Sequence, residues 1–218
     1  MLKKILVDIK NKAISDDLSI KSELLRKSVH FIAYFNIILI YPLLDKSGLL
    51  MLLVPTSLML ILFELQRVRS RTFDNFVKMN FKFLLRSEEL KTSMSKMQII
   101  SSTWACWSFT VISILFPLHI AVSCFAMFLI ADAMAALVGK WIGKNHWIKS
   151  KKTIEGSVAF LCTGLIVMLL FPGVVFKAGA IAVLVATMAE IPKRPLDDNF
   201  RVPLIGAIAL FLFEKLFV

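Results

Sequence analysis

The sequence is short of charged and polar residues, and long stretches carry no charge at all. Of its 218 residues, 58% are hydrophobic, 18 are Phe and only 19% are charged. A soluble domain of this size presents a largely polar surface to water around a single core. Because too few polar residues are present to cover such a surface, the sequence favours the lipid bilayer as its solvent.

Acidic residues are scarce, and the 26 Lys and Arg outnumber the 15 Asp and Glu. This excess could suggest nucleic acid, but the basic residues are not spread as a binding patch. Alternate segments between the apolar runs hold 23 of the 26. Positively charged segments stay in the cytoplasm, so this pattern predicts a cytoplasmic N-terminus, membrane-lipid contacts and no nucleic-acid partner. We expect an integral protein of a bacterial inner membrane.

Cysteine and proline are also few, and their positions are informative. The three Cys lie within apolar runs without metal-ligand spacing, which is typical of small packing residues. Two Pro sites, Pro117-Leu118 and Pro172-Gly173, separate neighbouring apolar runs and predict tight hairpins. Residues 1–28 are too charged for a cleavable signal. No internal repeat or low-complexity tract is present, so residues 1–218 are expected to form a single membrane domain.

The fold class that we predict is all-α, a polytopic transmembrane helical bundle. Uncharged apolar runs of about 17–25 residues mark the candidate spans. Seven spans fit the charge alternation, although six are also compatible because the first and last runs are short. The predicted spans are 29–44, 48–65, 99–118, 119–138, 154–171, 174–191 and 202–218.

Three polar segments are predicted on the cytoplasmic side. Residues 1–28 and 66–98 both have apolar residues on one helical face and basic residues elsewhere, which is typical of interfacial amphipathic helices. Residues 139–153 form a short basic loop. The amphipathic segments are interpreted chiefly as anchors that orient the bundle.

Ionisable residues inside apolar runs are costly and usually mark a site or a partner. The informative ones are His30, Glu64, Asp132, Glu155 and Glu190. Under the predicted topology all of them lie near the cytoplasmic ends of their spans. We therefore expect separated segments to converge on one polar cavity.

The stretch from Asp132 to Lys144 is the richest in chemistry. At helical spacing Asp132, Ala136, Gly139 and Gly143 share one face, where a second backbone or a phosphate group could approach closely. Small residues of this kind also serve plain helix packing. Residues 149–157 then place Lys side chains at a helix N-terminus, which is an anion-binding arrangement.

Together these residues are what phosphoryl transfer requires, namely cations for phosphate and carboxylates for a divalent metal. The 139–145 segment is not a Walker A loop, since the spacing and the Ser or Thr after Lys are missing. From the residues alone, a phosphate site and a solvated orienting loop are equally supported, and a transporter remains open.

Three segments resemble a known family. Asp-Ala-x-Ala-x-x-x-Gly-Lys-x-x-Gly-Lys, followed by Lys-Lys-Thr-Ile-Glu-Gly-Ser, covers residues 132–157. Arg26-Lys27-Ser28-Val29-His30 precedes it, and Glu190 with Asp197-Asp198-Asn199 and Pro203 follows. This ordered set is similar to the CTP-dependent lipid-alcohol kinases, which include dolichol, phytol, polyprenol and diacylglycerol kinases and are akin to membrane CDP-lipid synthases. Ala131 and Phe200-Arg201 depart from the family pattern.

The resemblance implies CTP as phosphate donor, Mg²⁺ as cofactor, and a lipid alcohol as substrate at the cytoplasmic face. Our hypothesis gives catalytic roles to Asp132, Glu155 and His30, and metal binding to Asp132, Glu190 and Asp198. Asp132 would either bind Mg²⁺ or take the hydroxyl proton, and the sequence does not separate these two roles. The nucleotide contacts would be Gly139, Lys140, Gly143, Lys144, Lys151, Lys152, Thr153, Glu155, Gly156 and Ser157. Further candidates are Arg26, Lys27, Asp197 and Asn199.

Two other functions fit the same sequence. A cytidylyltransferase that makes a CDP-lipid would use the same nucleotide, metal and membrane setting. A transporter or lipid-binding scaffold would use Asp132 and Glu190 as intramembrane relay groups, although the carboxylates cluster at one face instead of tracing a path across the bilayer. The sequence names neither the lipid nor the oligomeric state.

Overall fold

The described part of the chain is all-helical, as the sequence predicts. A computed structural model describes residues 25, 27–28, 31–32, 35–36, 39–81, 85, 99–148, 150, 152–192 and 196–217. Within these ranges the chain forms seven α-helices and one 3-10 turn, and its one β-type pairing is the isolated bridge between His146 and Thr153. The described residues between 25 and 40 also have helical backbone.

The helices are numbered here in chain order. They are α1 (Lys46–Arg69), α2 (Arg71–Asn80), α3 (Ser101–Leu115), α4 (Leu118–Trp141), α5 (Ile154–Leu170), α6 (Phe176–Glu190) and α7 (Asp198–Phe217). The 3-10 turn Tyr41–Leu43 precedes α1.

Two of these helices, α1 and α4, are long and apolar enough to cross a membrane, each having 24 residues. The helix α5 is apolar but has 17 residues, and α3 and α6 have 15 residues each, fewer than the roughly 20 that a span requires. The described structure therefore supports membrane association through two helices, whereas the seven-span arrangement is not shown.

Helix boundaries follow local sequence chemistry. The Asp45 side chain accepts a hydrogen bond from Gly48 N at the start of α1, and Ser70 caps α2 in the same way. Pro117 stands immediately before α4, where its missing N–H costs nothing. Gly173, with φ of +82°, turns the chain between α5 and α6. Both hairpins predicted at Pro sites are thus confirmed.

The helix α4 occupies the centre of the bundle. It packs against α3, α5 and α7, while α6 completes the circle between α5 and α7. Of the most apolar 18-residue window of α4, 78% is buried in the protein, against 11% for α1, which lies outside against α3. Burial of α4 explains why its hydrophobicity has no single face, and the exposure of α1 fits a lipid-facing helix.

The two ends of the bundle differ in charge. At one end, called here the polar end, α4 and α6 finish and α5 and α7 begin, and Asp132, Glu190 and Asp198 all lie there. At the opposite end His119 Nε2 lies 3.0 Å from Glu214 Oε2. These three carboxylates therefore lie at one end of the bundle, and the single polar cavity stays a prediction.

Glu64 belongs to a separate buried network, where α1, α2 and α3 meet. Its Oε2 accepts from Arg67 Nη1 at 2.8 Å, and its Oε1 accepts from Ile100 N and Thr103 Oγ1, each at 3.0 Å. Arg67 Nη2 also donates to Asp74 Oδ1 at 3.1 Å. Glu64 thus caps the start of α3, and its partner Arg67 connects α1 to α2.

Candidate functional site

The first ion pair of the polar end joins the N-terminal segment to α4. The Lys27 ammonium donates to Asp132 Oδ2, although 105 residues separate the two along the chain. Both side chains are buried. A buried charge is stable only with a partner, so this contact explains how a lysine and an aspartate share the interior of the bundle.

The second ion pair is a three-residue group centred on Lys152. Its Nζ lies 2.7 Å from Glu190 Oε1 and 3.2 Å from Asp198 Oδ2. Glu190 is 2% exposed, whereas the Lys152 side chain is 34% exposed, so the lysine covers the carboxylate on its solvent side. The group brings the loop before α5, the end of α6 and the start of α7 together.

Negative charge around Lys152 determines its protonation. Burial acts to lower the pKa of Lys152, but the carboxylates of Glu190, Asp132 and Asp198 outweigh burial and raise the pKa above its ordinary value. The group is therefore a permanent cation at neutral pH. This also shows that Asp132 is close enough to interact electrostatically with the Lys152 group.

Among the described residues, one carboxylate oxygen of Glu190 has no hydrogen-bond partner. Its Oε2 is buried and accepts no hydrogen bond in the part of the chain that the structure describes. A buried acceptor left unsatisfied costs about 1–3 kcal/mol, and more when it is charged. Such a group commonly marks a position completed by a ligand, an ion or water.

Arg201, which in the sequence is only a departure from the family pattern, lies in the site. Its Nη2 donates to Asp198 Oδ1 at 2.5 Å and to the Pro192 carbonyl at 3.1 Å. Asp198 is therefore shared between Lys152 and Arg201. The signal available in the sequence was the i, i+3 spacing of Asp198 and Arg201 at a helix start, which places both on one face.

The loop between α4 and α5 is held by Glu155. Its carboxylate accepts from Lys144 N at 3.1 Å, from Asn145 N at 3.2 Å and from Asn145 Nδ2 at 2.9 Å. Ile154 N in turn donates to the Asn145 carbonyl. These contacts give Glu155 a positioning role, and in this arrangement the residue does not join the Asp132 or Glu190 groups.

The glycine face of α4 packs against the start of α5. A Cβ on Gly139 would lie 2.7 Å from Thr153 Oγ1, and one on Gly156 would lie 2.9 Å from the Ala135 carbonyl. Gly143 is tighter still, since its Cβ would lie 2.3 Å from the Gly139 carbonyl. Of the two interpretations left open by the sequence, close helix packing is the one that the described structure displays.

Thr153 is central to this contact. It is the N-cap of α5, where its Oγ1 accepts from Gly156 N at 3.1 Å. Ser157, one turn later, is buried and accepts from Trp147 Nε1 at 3.0 Å. The predicted nucleotide loop is therefore folded onto the start of α5, and Ser150 Oγ ties it to the Ile191 carbonyl at the end of α6.

The remaining predicted residues fall in three places. Lys140 and Lys144 are exposed at the polar end, where neither is shown to touch the Lys152 group. Asn199 is buried and donates to the Ser101 carbonyl, which binds α7 to α3. Asp197 accepts from Asn199 N in the turn before α7. Predictions for His30, Arg26 and Lys151 lie outside the described residues.

The three predicted metal ligands carry carboxylate oxygens, which suit a metal ion, but each carboxylate is paired with a lysine. Carboxylate oxygens are the preferred ligands of Mg²⁺. Asp132 pairs with Lys27, while Glu190 and Asp198 pair with Lys152. Across the described ranges no three His, Cys, Asp or Glu side chains converge as a metal-binding group. In this arrangement each of these carboxylates faces a lysine of the protein, and the Mg²⁺ assignment stays a prediction.

Comparison with known proteins finds a similar sequence in another organism. The chain is 28% identical over 174 residues to the uncharacterized protein RP860 of Rickettsia prowazekii (strain Madrid E), covering 75% of this chain and 81% of that protein. No model of a known protein family matches the sequence. No solved structure matches it either.

Proposed function

We propose that this protein is a membrane-embedded kinase that transfers the γ-phosphate of CTP to the hydroxyl of a lipid alcohol. The observation that carries the proposal is the meeting of the family-like segments at the polar end. Lys27, Asp132, Lys152, Glu190 and Asp198 come from separate segments of that resemblance and form two ion-paired groups. Sequence similarity alone does not require those segments to be neighbours.

The charges of the polar end suit a phosphate-transfer site. Lys152 is a permanent cation with part of its side chain open to solvent, and its ammonium has three N–H donors, of which the Glu190 and Asp198 carboxylates account for two. The third is available to a phosphate oxygen. Preorganised cations aimed at transferring phosphate supply most of the stabilisation in such reactions.

Asp132 is the candidate proton acceptor. In the proposed step, the lipid hydroxyl oxygen bonds to the γ-phosphorus, the bond from that phosphorus to the β-phosphate oxygen breaks, and CDP leaves. The hydroxyl proton passes to the Asp132 carboxylate. The Lys27 ammonium, which donates to Asp132 Oδ2, holds this carboxylate in position inside the bundle.

The setting of the reaction follows the charge distribution. We place the polar end in the cytoplasm, because the basic connecting segments gather there. About seven membrane-crossing helices would then surround the site, and a polyprenol, a phytol-like alcohol or diacylglycerol would present its hydroxyl at the same depth. Glu155 and Thr153 would hold the loop that contacts the nucleotide.

The test uses purified protein in lipid micelles with Mg²⁺ and a mixed lipid extract. Parallel reactions contain CTP labelled at the γ- or the α-phosphate, and the organic phase is counted. The proposal expects label from the γ-phosphate alone. The Asp132→Asn protein, prepared in the same way, controls for contaminating kinases and should give none.

The other outcomes are equally informative. Label from the α-phosphate alone would replace the kinase by a cytidylyltransferase. Absence of lipid label from either nucleotide, with folded protein and several lipid alcohols supplied, would overturn both enzyme functions and favour a transporter or lipid-binding scaffold.

A further inference from the structure

The short helix α2 exposes apolar side chains and buries charge. Phe76 is 54% exposed and Met79 is 81% exposed, whereas Asp74 is only 5% exposed. The surface helix of a water-soluble protein does the reverse, with its apolar stripe facing the core. Asn75 and Asn80 are exposed beside Phe76 and Met79, so the outer face of α2 combines two large apolar side chains with polar neighbours, which suits a boundary between apolar and polar surroundings.

The orientation of α2 is fixed by buried contacts on its inner face. Arg67 of α1 holds Asp74, and Val77 packs into a small apolar cluster with Phe63 and Ile100. These contacts leave Thr72, Phe76 and Met79 facing outward. The outward position of the apolar side chains is thus enforced by an ion pair and a packed cluster on the other side.

The outer face of α2 continues the lipid-facing surface of α1. Along the last two turns of α1, Leu62, Leu65 and Val68 are 66%, 47% and 47% exposed. One residue, Ser70, separates the two helices. Since α1 is apolar and little covered by protein, the bilayer is its natural surrounding, and α2 leaves that surface at the polar end.

Basic residues flank the junction. Arg69 and Arg71 stand on either side of Ser70, and both are exposed. A short helix with an apolar outer face and adjacent arginines matches the boundary between acyl chains and anionic headgroups.

We propose that the outer face of α2, formed by Thr72, Phe76 and Met79, is a membrane-docking surface. It seats in the interfacial layer of the leaflet at the polar end, with Arg69 and Arg71 against the phosphates of anionic lipids. The surface is independent of the reaction proposed above.

Docking of α2 would set the depth of the polar end in the bilayer. Arg67 connects α2 to Glu64, which caps the start of α3. Ser101 at that start accepts from Asn199, the neighbour of Asp198. Buried hydrogen bonds therefore connect α2 to the start of α3, and the start of α3 to the start of α7, where Asp198 lies.

Depth-dependent fluorescence quenching tests the docking surface. The full chain, with Cys106→Ser, Cys124→Ala and Cys162→Ala, receives a single cysteine at Met79 for an NBD label and is reconstituted in vesicles. Nitroxides are carried on the headgroup, near the top of the acyl chain or near its end. Leu58→Cys, in the middle of α1, is the deep reference, and Lys144→Cys is the aqueous reference.

The expected result is strongest quenching of the label at position 79 by the nitroxide near the top of the acyl chain. The label at position 58 should respond most to the deep nitroxide, and the label at 144 to aqueous iodide. A Phe76→Cys protein repeats the measurement if the Met79→Cys protein does not fold.

The preference for anionic lipids is tested by comparing quenching by nitroxides on an anionic lipid and on a zwitterionic lipid. Spin-labelled phosphatidylglycerol should quench the label at position 79 more than spin-labelled phosphatidylcholine, and Arg69→Gln/Arg71→Gln should abolish the difference. Equal quenching in the parent protein would overturn the anionic contact. Quenching by iodide alone would overturn the docking surface, and protection from both iodide and lipid would show that a protein, such as a second copy, covers it instead.

Discussion

The ammonium of Lys152 lies 2.7 Å from the carboxylate of Glu190, although 38 residues separate them in sequence. Lys27 and Asp132 form a second such pair across 105 residues. Each pair neutralises a carboxylate that would be costly to bury alone. The candidate site is therefore also part of what holds the polar end together, and its variants must be judged for stability as well as activity.

Asp132→Asn is expected to abolish phosphate transfer and also to destabilise the protein. The amide cannot accept the hydroxyl proton, and the substitution leaves the Lys27 ammonium buried without its counter-charge. Removing one partner of a buried pair costs about 3–5 kcal/mol. Thermal unfolding in detergent and label transfer from γ-labelled CTP measure the two effects.

The double variant Lys27→Met/Asp132→Asn separates the catalytic role of Asp132 from its structural one. Without a buried ammonium to compensate, this protein should recover most of the lost stability and still transfer no phosphate. Normal transfer in either variant would remove Asp132 from the reaction.

Lys152→Met is expected to weaken CTP binding and lower turnover by about 10²–10³-fold, the usual effect of removing one preorganised electrostatic group. Lys152→Arg keeps the positive charge and should retain part of the CTP binding and part of the turnover. CTP binding measured without lipid alcohol separates nucleotide contact from chemistry. Lys215→Met, at the opposite end of the bundle where the lysine stands over Phe211, is the matched control. Unchanged CTP binding by Lys152→Met would contradict the assigned role.

Gly156→Ala is expected to destabilise the bundle by about 1–3 kcal/mol, because overpacked contacts force the backbone to shift. Its Cβ would lie 2.9 Å from the Ala135 carbonyl, where α4 and α5 touch. Gly206→Ala in α7 is the matched control, since its Cβ would meet Met127 Cε at 3.4 Å and Ala186 Cβ at 3.6 Å. That protein should be neutral or more stable by up to about 1 kcal/mol, from helix propensity. Equal melting temperatures for the two variants would show that the close α4–α5 contact is absent.

Arg67→Met is expected to cost about 3–5 kcal/mol, because Glu64 and Asp74 would remain buried without their shared cation. The triple variant Glu64→Gln/Arg67→Met/Asp74→Asn removes all three charges and should recover much of that loss. Thermal unfolding of the three proteins measures the difference. If the single variant melts like the parent, the network does not hold α1 to α2.

Much of the secondary structure was predictable because it depends on local chemistry. Apolar runs and the Pro sites fix where α3, α4, α5 and α6 begin and end, and both predicted hairpins are present. The charge alternation also predicted that Asp132, Glu190 and Asp198 lie at one end, since antiparallel neighbours bring alternate connections together. The number of membrane spans could not be predicted from the sequence, because apolar segments of similar hydropathy form helices of different length and burial.

The sequence by itself determined an all-helical, apolar chain whose carboxylates gather at one end, because helix periodicity and charge spacing are local properties of the chain. Only the tertiary structure decided which charges pair. In that structure Lys152 forms ion pairs with Glu190 and Asp198. Glu155 instead accepts hydrogen bonds from the backbone N–H groups of residues 144 and 145. The tertiary structure also filled the open face of Gly139 and Gly143 with Thr153. The physical reason is that pairing between distant segments depends on how helices pack, and buried charges accept whichever counter-charge that packing brings within reach.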